Sequence, residues 1–361
     1  MTPAMLCLIS LLATFAIASP IHEIIARQNS DLPRLVIYYQ SSHDANGNPV
    51  SMLPLITEQG ISLTHIIISS FHMDSNSVIH LNDAPPSDPK FATIWNETAV
   101  LKNAGVKIMG MIGGAAPGSY DNTTLDGDDA TFAEYYGQVK DLVTTYGLQG
   151  LDLDVEQPMS QAGITRLVDS LYQDFGSDFI ITLAPVAAAL DNGGNLSGFD
   201  YKQLESTDGD KIAFYNAQFY NGWGELTDSN QFDQIVENGF SPQKVMAGEI
   251  TSPDNGNGFI PYEQLNTTII QLRNAYGEIG GIMGWEYFNS APDGSSEPWV
   301  WAQEMTAVLR PNQPVNLTIT PATASALADA WKSSVVGNTP TVEQGSVEPT
   351  PNVDYMAMVN A

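Results

Sequence analysis

Tyr146-Gly147-Leu148-Gln149-Gly150-Leu151-Asp152-Leu153-Asp154-Val155-Glu156 is the stretch on which the fold turns. From Leu151 onward apolar and acidic residues alternate strictly. Successive side chains of a β-strand point to opposite faces, so Asp152, Asp154 and Glu156 share one face and Leu151, Leu153 and Val155 the other. Three carboxylates about 7 Å apart per step repel one another, and that repulsion raises at least one pKa. A carboxyl that keeps its proton near neutral pH is what general acid catalysis requires. A solvated edge strand would carry the same alternation, but its second face would not be uniformly apolar. A magnesium or calcium site would need more oxygen ligands than this strand supplies, so no metal is expected.

Outward from this segment the chain alternates short β-branched runs with helix-period stretches. Strands are expected at Leu35–Tyr39, Thr64–Phe71, Val106–Ile112, Leu148–Val155, Phe179–Ala184, Ile212–Phe219, Lys244–Gly248 and Gly281–Tyr287. Helical patterns lie at Phe132–Tyr146, Ala162–Phe175, Phe232–Asn238, Tyr262–Tyr276 and Trp299–Leu309. Eight strands, each followed by a helix, predict an α/β fold of the (β/α)₈ barrel type over residues 34–310. An open doubly wound sheet is the alternative, and the missing Gly-x-Gly-x-x-Gly turn argues against it. In a barrel Leu151, Leu153 and Val155 pack under the helices, and the acids point inward and climb toward the C-terminal rim.

The ends of the chain read differently. Met5 to Ala18 is apolar, and Ala16-Ile17-Ala18 is a small-x-small cleavage site, so residues 1–18 are expected to be a secretory signal. Residues 19–33 then form an N-terminal segment open to processing. Residues 311–361 are rich in Pro, Thr, Val and Glu and are expected to be a largely disordered extension. The single cysteine, Cys7, lies in the signal, which excludes a cysteine nucleophile and a thiolate metal site in the mature chain. Asn96, Asn122, Asn195, Asn266 and Asn316 begin Asn-x-Ser/Thr triplets and are expected glycan acceptors in surface loops. The formal net charge of −28 disfavours nucleic acid and anionic lipid as partners. A soluble secreted monomer acting on a neutral or weakly cationic partner is expected.

The acidic segment resembles the Asp-x-x-Asp-x-Asp-x-Glu signature of glycoside hydrolase family 18, the chitinases and endo-β-N-acetylglucosaminidases. Asp152, Asp154 and Glu156 fill its last three acidic places; Gln149 stands at the first, and Val155 replaces a tryptophan often found before the Glu. Lys107–Gly114 is similar to the family's third strand, with Met111 in place of a serine. Phe214–Asn221 and Gly281–Tyr287 resemble its sixth and eighth strands in the plant-type and fungal class III branch.

The resemblance implies a secreted endo-acting chitinase that uses no cofactor and takes chitin or N-acetylglucosamine oligosaccharides. It implies substrate assistance, in which the sugar's own 2-acetamido oxygen replaces an enzyme nucleophile. Glu156 would protonate the glycosidic oxygen and later activate water. Asp154 would hold the acetamido N–H, Asp152 would tune Asp154, and Tyr220 would bond the acetamido oxygen. Trp285 would carry the reacting sugar on its ring, with core packing as its competing reading. Gln218 alternates onto the face of Tyr220, with Asn221 beside it, and both are candidate substrate contacts. Tyr39 and Phe71 are candidate cleft walls at the ends of the first two strands. Trp223 and Trp95 either extend the cleft or cover loops, and Glu249 is kept as a rival nucleophile. In this family the first acid helps share a proton through the stack, so Gln149 would weaken that relay. An endo-β-N-acetylglucosaminidase acting on N-glycans and a weakly active chitin-binding protein are the alternatives.

Overall fold

The computed structural model describes residues 32–75 and 77–311. The expected signal and nearly all of the C-terminal extension lie outside the described residues.

The strands are β1 (Arg34–Tyr39), β2 (His65–His72), β3 (His80–Leu81), β4 (Lys107–Gly114), β5 (Gly150–Val155), β6 (Ile180–Leu183), β7 (Phe214–Gln218), β8 (Val245–Ile250) and β9 (Gly281–Trp285). The helices are α1 (Pro54–Thr57), α2 (Ala92–Asn103), α3 (Asp129–Tyr146), α4 (Gln161–Phe175), α5 (Ala187–Leu190), α6 (Tyr201–Asp208), α7 (Asn230–Glu237), α8 (Tyr262–Tyr276) and α9 (Trp299–Leu309). The eight strands other than β3 pair in parallel in the order β1-β9-β8-β7-β6-β5-β4-β2, and β1 pairs with β2 to close the ring. This is a (β/α)₈ barrel. The two-residue β3 runs antiparallel to β2 at its rim and was not anticipated.

Local chemistry sets where the acidic strand begins. Asp128 caps α3 by accepting the Thr131 N–H, and α3 ends at Gly147 with φ of 60°. Only glycine takes that left-handed turn without strain, and the turn sends the chain directly into β5. Leu151, Leu153 and Val155 are at most 2% exposed and pack in the layer between barrel and helices. Gly113 in β4 has φ of 97°, and a Cβ there would lie 2.2 Å from the Asp154 carbonyl oxygen. Its lack of a side chain lets β4 and β5 close at the level of the acids.

A second apolar cluster fills the barrel itself and includes Val36, Tyr38, Ile67, Met109, Met111, Phe214, Tyr220, Met246 and Met283. Below it the Arg34 guanidinium lies 4.6 Å from the Phe214 ring centre, plugging the N-terminal end. The interior is thus a packed core below and a polar floor above, which leaves the C-terminal mouth for chemistry.

Two expectations about the rim are corrected. β9 stops at Trp285, and Tyr287–Asn289 forms a 3₁₀ turn rather than more strand. Asn96 lies within α2 and is 7% exposed, so it is no surface-loop acceptor. Asn266 is half-buried in α8, whereas Asn122 and Asn195 are exposed; Asn316 lies outside the described residues.

Candidate active site

Asp152 lies at the bottom of the acidic ladder, fully buried. Three donors from three other strands converge on it. Tyr38 Oη on β1 donates to Oδ2 at 2.6 Å. Thr182 Oγ1 on β6 and Asn216 Nδ2 on β7 donate to Oδ1 at 2.6 and 3.0 Å. Burial pushes its pKa up, and the three hydrogen bonds pull against that by favouring the charged form.

Asp154 is 5% exposed, one step higher, and Glu156 one step above that reaches the cleft. Their carboxyl groups are close enough to act on each other's protonation. Two neighbouring buried carboxyls resist ionising together, which favours one proton held between them. Burial, then the charges of Glu156 and Asp152, hold the Asp154 carboxyl well above the usual carboxylate range. Burial raises Glu156 as well. Met111 adds to this desolvation from β4: it is 1% exposed inside the barrel and offers no hydrogen to an oxygen.

Gln218 spans the pair from β7. Its Nε2 donates to Asp154 Oδ1 at 3.2 Å, to Glu156 Oε1 at 3.1 Å and to the Ala184 carbonyl at 2.9 Å. It therefore orients both acids. Tyr220 is 6% exposed and continues the inward face two residues on, in the same cluster as Tyr38. Trp285 is half-buried at the end of β9 and packs against that cluster, its ring centre 5.4 Å from that of Tyr38. The ladder, Gln218, Tyr220 and Trp285 thus come together at one mouth. They set the acid pair on one side of the mouth and an aromatic face on the other.

Several expected residues are placed elsewhere. Tyr39 points outward, donates to the Val50 carbonyl at 2.6 Å and packs on Tyr287. Its neighbour Tyr38 is the inward residue that the sequence reading missed. Phe71 also faces the helix layer, stacked on Trp95. The strand register shifts between Ile68 and Phe71, and that irregularity moves Phe71 off the inward face that strict alternation gives it. Trp95 stacks on Tyr146 at 3.9 Å between centres, away from the mouth. Asn221 has φ of 56°, and its carboxamide oxygen accepts the Asn257 N–H at 2.8 Å, so it latches two rim loops. Trp223 is half-buried at the rim over Gly194.

Neither Glu249 nor the nearby Glu286 faces the mouth unengaged. Glu249 lies on β8 with Val245 and Ala247, whose side chains pack outward, whereas Met246 and Ile250 point in. Its two oxygens are buried without a hydrogen-bond partner, under the helices. Glu286 accepts the Gln40 and Ser41 N–H groups and the Ser41 hydroxyl. Gln149 accepts the Ile108 N–H at 3.1 Å near the start of the strand, far below the shared proton. Among the described residues no group of three or more His, Cys, Asp or Glu side chains is arranged to hold a metal ion.

The chain matches known proteins in sequence and fold. The profile of the Glycosyl hydrolases family 18 covers residues 34–304. A fungal endo-β-N-acetylglucosaminidase of family 18 is 58% identical, covering 78% of this chain and all of that one, with a TM-score of 0.77. The chitinase ChiC of Aspergillus fumigatus is 50% identical, covering 76% of this chain and 98% of that one, with a TM-score of 0.69. Chitinase 2 of Rhizopus oligosporus is 27% identical over 285 residues, which is 70% of this chain and 48% of that protein. The chain thus spans about half the length of that relative.

Proposed function

The chain belongs to glycoside hydrolase family 18, and from that premise we propose that it cleaves the β-1,4 bond between two N-acetylglucosamine residues from within a glycan, by substrate assistance. The observation that carries this reading is the buried Asp154–Glu156 pair bridged by Gln218, with neither Glu249 nor Glu286 free to attack. Glu249 is turned away under the helices, and both oxygens of Glu286 are engaged. A retaining glycosidase without an enzyme nucleophile needs one from the substrate, and a 2-acetamido group supplies it. Glu156, the most accessible of the acids, gives its proton to the leaving oxygen. The acetamido oxygen then bonds the anomeric carbon as the glycosidic bond breaks. Asp154 accepts the acetamido N–H and balances the positive charge that develops, with Asp152 beneath it held by three donors that favour its charged form. Tyr220 orients the acetamido oxygen, and Trp285 supports the sugar ring. Water, deprotonated by Glu156, opens the ring intermediate and returns the proton.

The preferred context of that bond is the two-sugar core of N-glycans, and soluble chitin oligomers are the second reading. Two observations favour this order. The endo-β-N-acetylglucosaminidase is the more similar of the two fungal structures, at 58% against 50% identity. The large apolar side chains exposed among the described residues are Val78 and Ile270, neither of them aromatic. A long chitin chain is gripped best by successive exposed rings, and here the rings near the mouth, Trp285, Phe259 and Trp223, are all half-buried. The curated relatives are chitinases, at 22–29% identity. A side-by-side assay decides: a high-mannose glycopeptide against N-acetylglucosamine hexamer and colloidal chitin, read by mass spectrometry. Faster release from the glycopeptide supports the order given; a faster rate on the hexamer reverses it. Secretion is part of the proposal and is supported by the apolar Met5–Ala18 run with its Ala16-Ile17-Ala18 site. The N-terminus of protein recovered from culture medium would test it.

A further inference from the structure

Glu286 is the residue after the sugar platform, 8% exposed, and it is pinned from both sides. Its backbone carbonyl accepts the Thr251 hydroxyl at 2.5 Å and the Ser290 hydroxyl at 3.0 Å. Its side chain reaches the other way, to the loop that leaves β1. Oε2 accepts the Gln40 N–H at 3.0 Å and the Ser41 N–H at 2.7 Å, and Oε1 accepts the Ser41 hydroxyl at 2.7 Å. Trp285 is anchored from the same β8 side: its carbonyl accepts the Thr251 N–H and the Asn255 carboxamide. Glu286 is thus the link by which the end of β9 and the end of β1 hold a fixed spacing.

That spacing bears on ligand binding. Gln40 leaves β1 two residues after Tyr38, and Tyr38 packs on Trp285. Beyond Gln40 the same loop walls a cavity of about 530 Å³, lined by Ser42, His43, Asn82 and Lys90 among others. The volume falls in the range of small-ligand sites, and the wall is rich in hydroxyl, amide and imidazole groups suited to sugar hydroxyls. Asn82 closes the far side by donating to the Gln40 carbonyl.

We propose that Glu286 is a positioning residue that keeps the Trp285 platform and the β1 rim cavity in register, so that consecutive sugars of one glycan bind to both. This rests on the endoglycosidase reading and assigns the rim cavity a sugar beyond the one being cleaved. Three charge-assisted hydrogen bonds to one carboxylate fix a loop far more firmly than neutral bonds would. Without them the two halves of the cleft move independently, and a substrate long enough to span both loses affinity.

The test compares wild type, Glu286→Ala, Glu286→Gln and Ser41→Ala on a 4-nitrophenyl N-acetylglucosaminide, whose one sugar reaches only the platform, and on a high-mannose glycopeptide and chitopentaose. For Glu286→Ala, KM for the long substrates is expected to rise about tenfold with kcat nearly unchanged, and the short chromogenic substrate should be little affected. Ser41→Ala moves the same way by less, and Glu286→Gln recovers part of the loss. Equal losses on short and long substrates, or a fall in kcat with KM fixed, overturn the proposal. If Glu286→Ala fails to fold, the two milder variants decide it. Calorimetric binding of the long substrates to the same changes in a Glu156→Gln background separates the two readings. If wild type cleaves none of the substrates, the functional reading falls, while a length-dependent loss of binding still upholds the positioning role and its absence still overturns it.

Discussion

Tyr38 Oη donates to Asp152 Oδ2 at 2.6 Å across the barrel floor, joining the first barrel strand to the fourth. With Thr182 and Asn216 it supplies three donors that favour the charged form of the bottom acid against the opposing effect of burial. Replacing Tyr38 with Phe removes one donor, which raises the proton affinity of Asp152. The acid limb of the pH–rate profile should therefore move to higher pH, with kcat down about tenfold. A profile that superposes on wild type would show that Thr182 and Asn216 suffice.

Glu156→Gln should lower kcat by about 10²–10⁴-fold, the range for losing general acid–base catalysis. Calorimetric binding of glycan should survive, because the amide keeps the size and one acceptor. In wild type burial raises both members of the acid pair, so the alkaline limb should fall at higher pH than for a solvated carboxyl. Hydrolysis by the mutant at near-wild-type rate would remove Glu156 from the mechanism.

Under substrate assistance only N-acetylated substrates react. Fully deacetylated chitosan oligomers and cellulose oligomers should be inert, the first product should be the β-anomer, and thiazoline mimics of the ring intermediate should inhibit. Proton NMR of the nascent product distinguishes the outcomes. Rapid cleavage of either inert control would leave the fold standing and the mechanism wrong.

Glu249 offers a test of stability. Burial alone drives its pKa well above normal, with no charged neighbour contributing. The unfolded chain ionises this carboxyl freely above about pH 4.3, whereas the folded chain holds the proton. Folded protein therefore binds more protons, and stability falls as pH rises from there toward the folded pKa. Glu249→Gln removes that dependence. It should match wild type near pH 4 and melt higher at pH 8, by about 2–4 °C for each 1 kcal/mol gained. A difference that does not grow with pH would contradict the assignment of a buried proton.

Gln149→Asp should leave the pH–rate profile unchanged. The site lies near the start of β5, where the Gln149 carboxamide bonds the Ile108 N–H, and a shorter Asp loses that bond at a cost of about 1 kcal/mol. The family resemblance implied a weakened relay here. The bonds from Gln218 to Asp154 and Glu156 lie higher up the strand, away from Gln149. A raised rate or a moved limb would restore the relay role.

Alternation along one strand is a local property, so Leu151–Glu156 was readable: its uniformly apolar face had to go under the helices, which put the acids inside. The eight-strand rhythm was readable for the same reason. What the sequence did not determine was the phase of less polarised strands and the use of each polar group. In β1 the face of Leu35 and Ile37 is the more apolar, which was a signal for Tyr38 rather than Tyr39 as the inward residue. For Phe71 no such signal existed, because a register shift at the β2 rim is settled by pairing with β4. The donors to Asp152 lie 114, 30 and 64 residues away in the chain. Only closure of the barrel brings them together, and the same closure leaves Glu249 under the helices and occupies Glu286 with the β1 loop. Local periodicity depends on neighbours along the chain, whereas the charge state of a carboxyl depends on every group packed around it, and those groups are chosen by the tertiary fold.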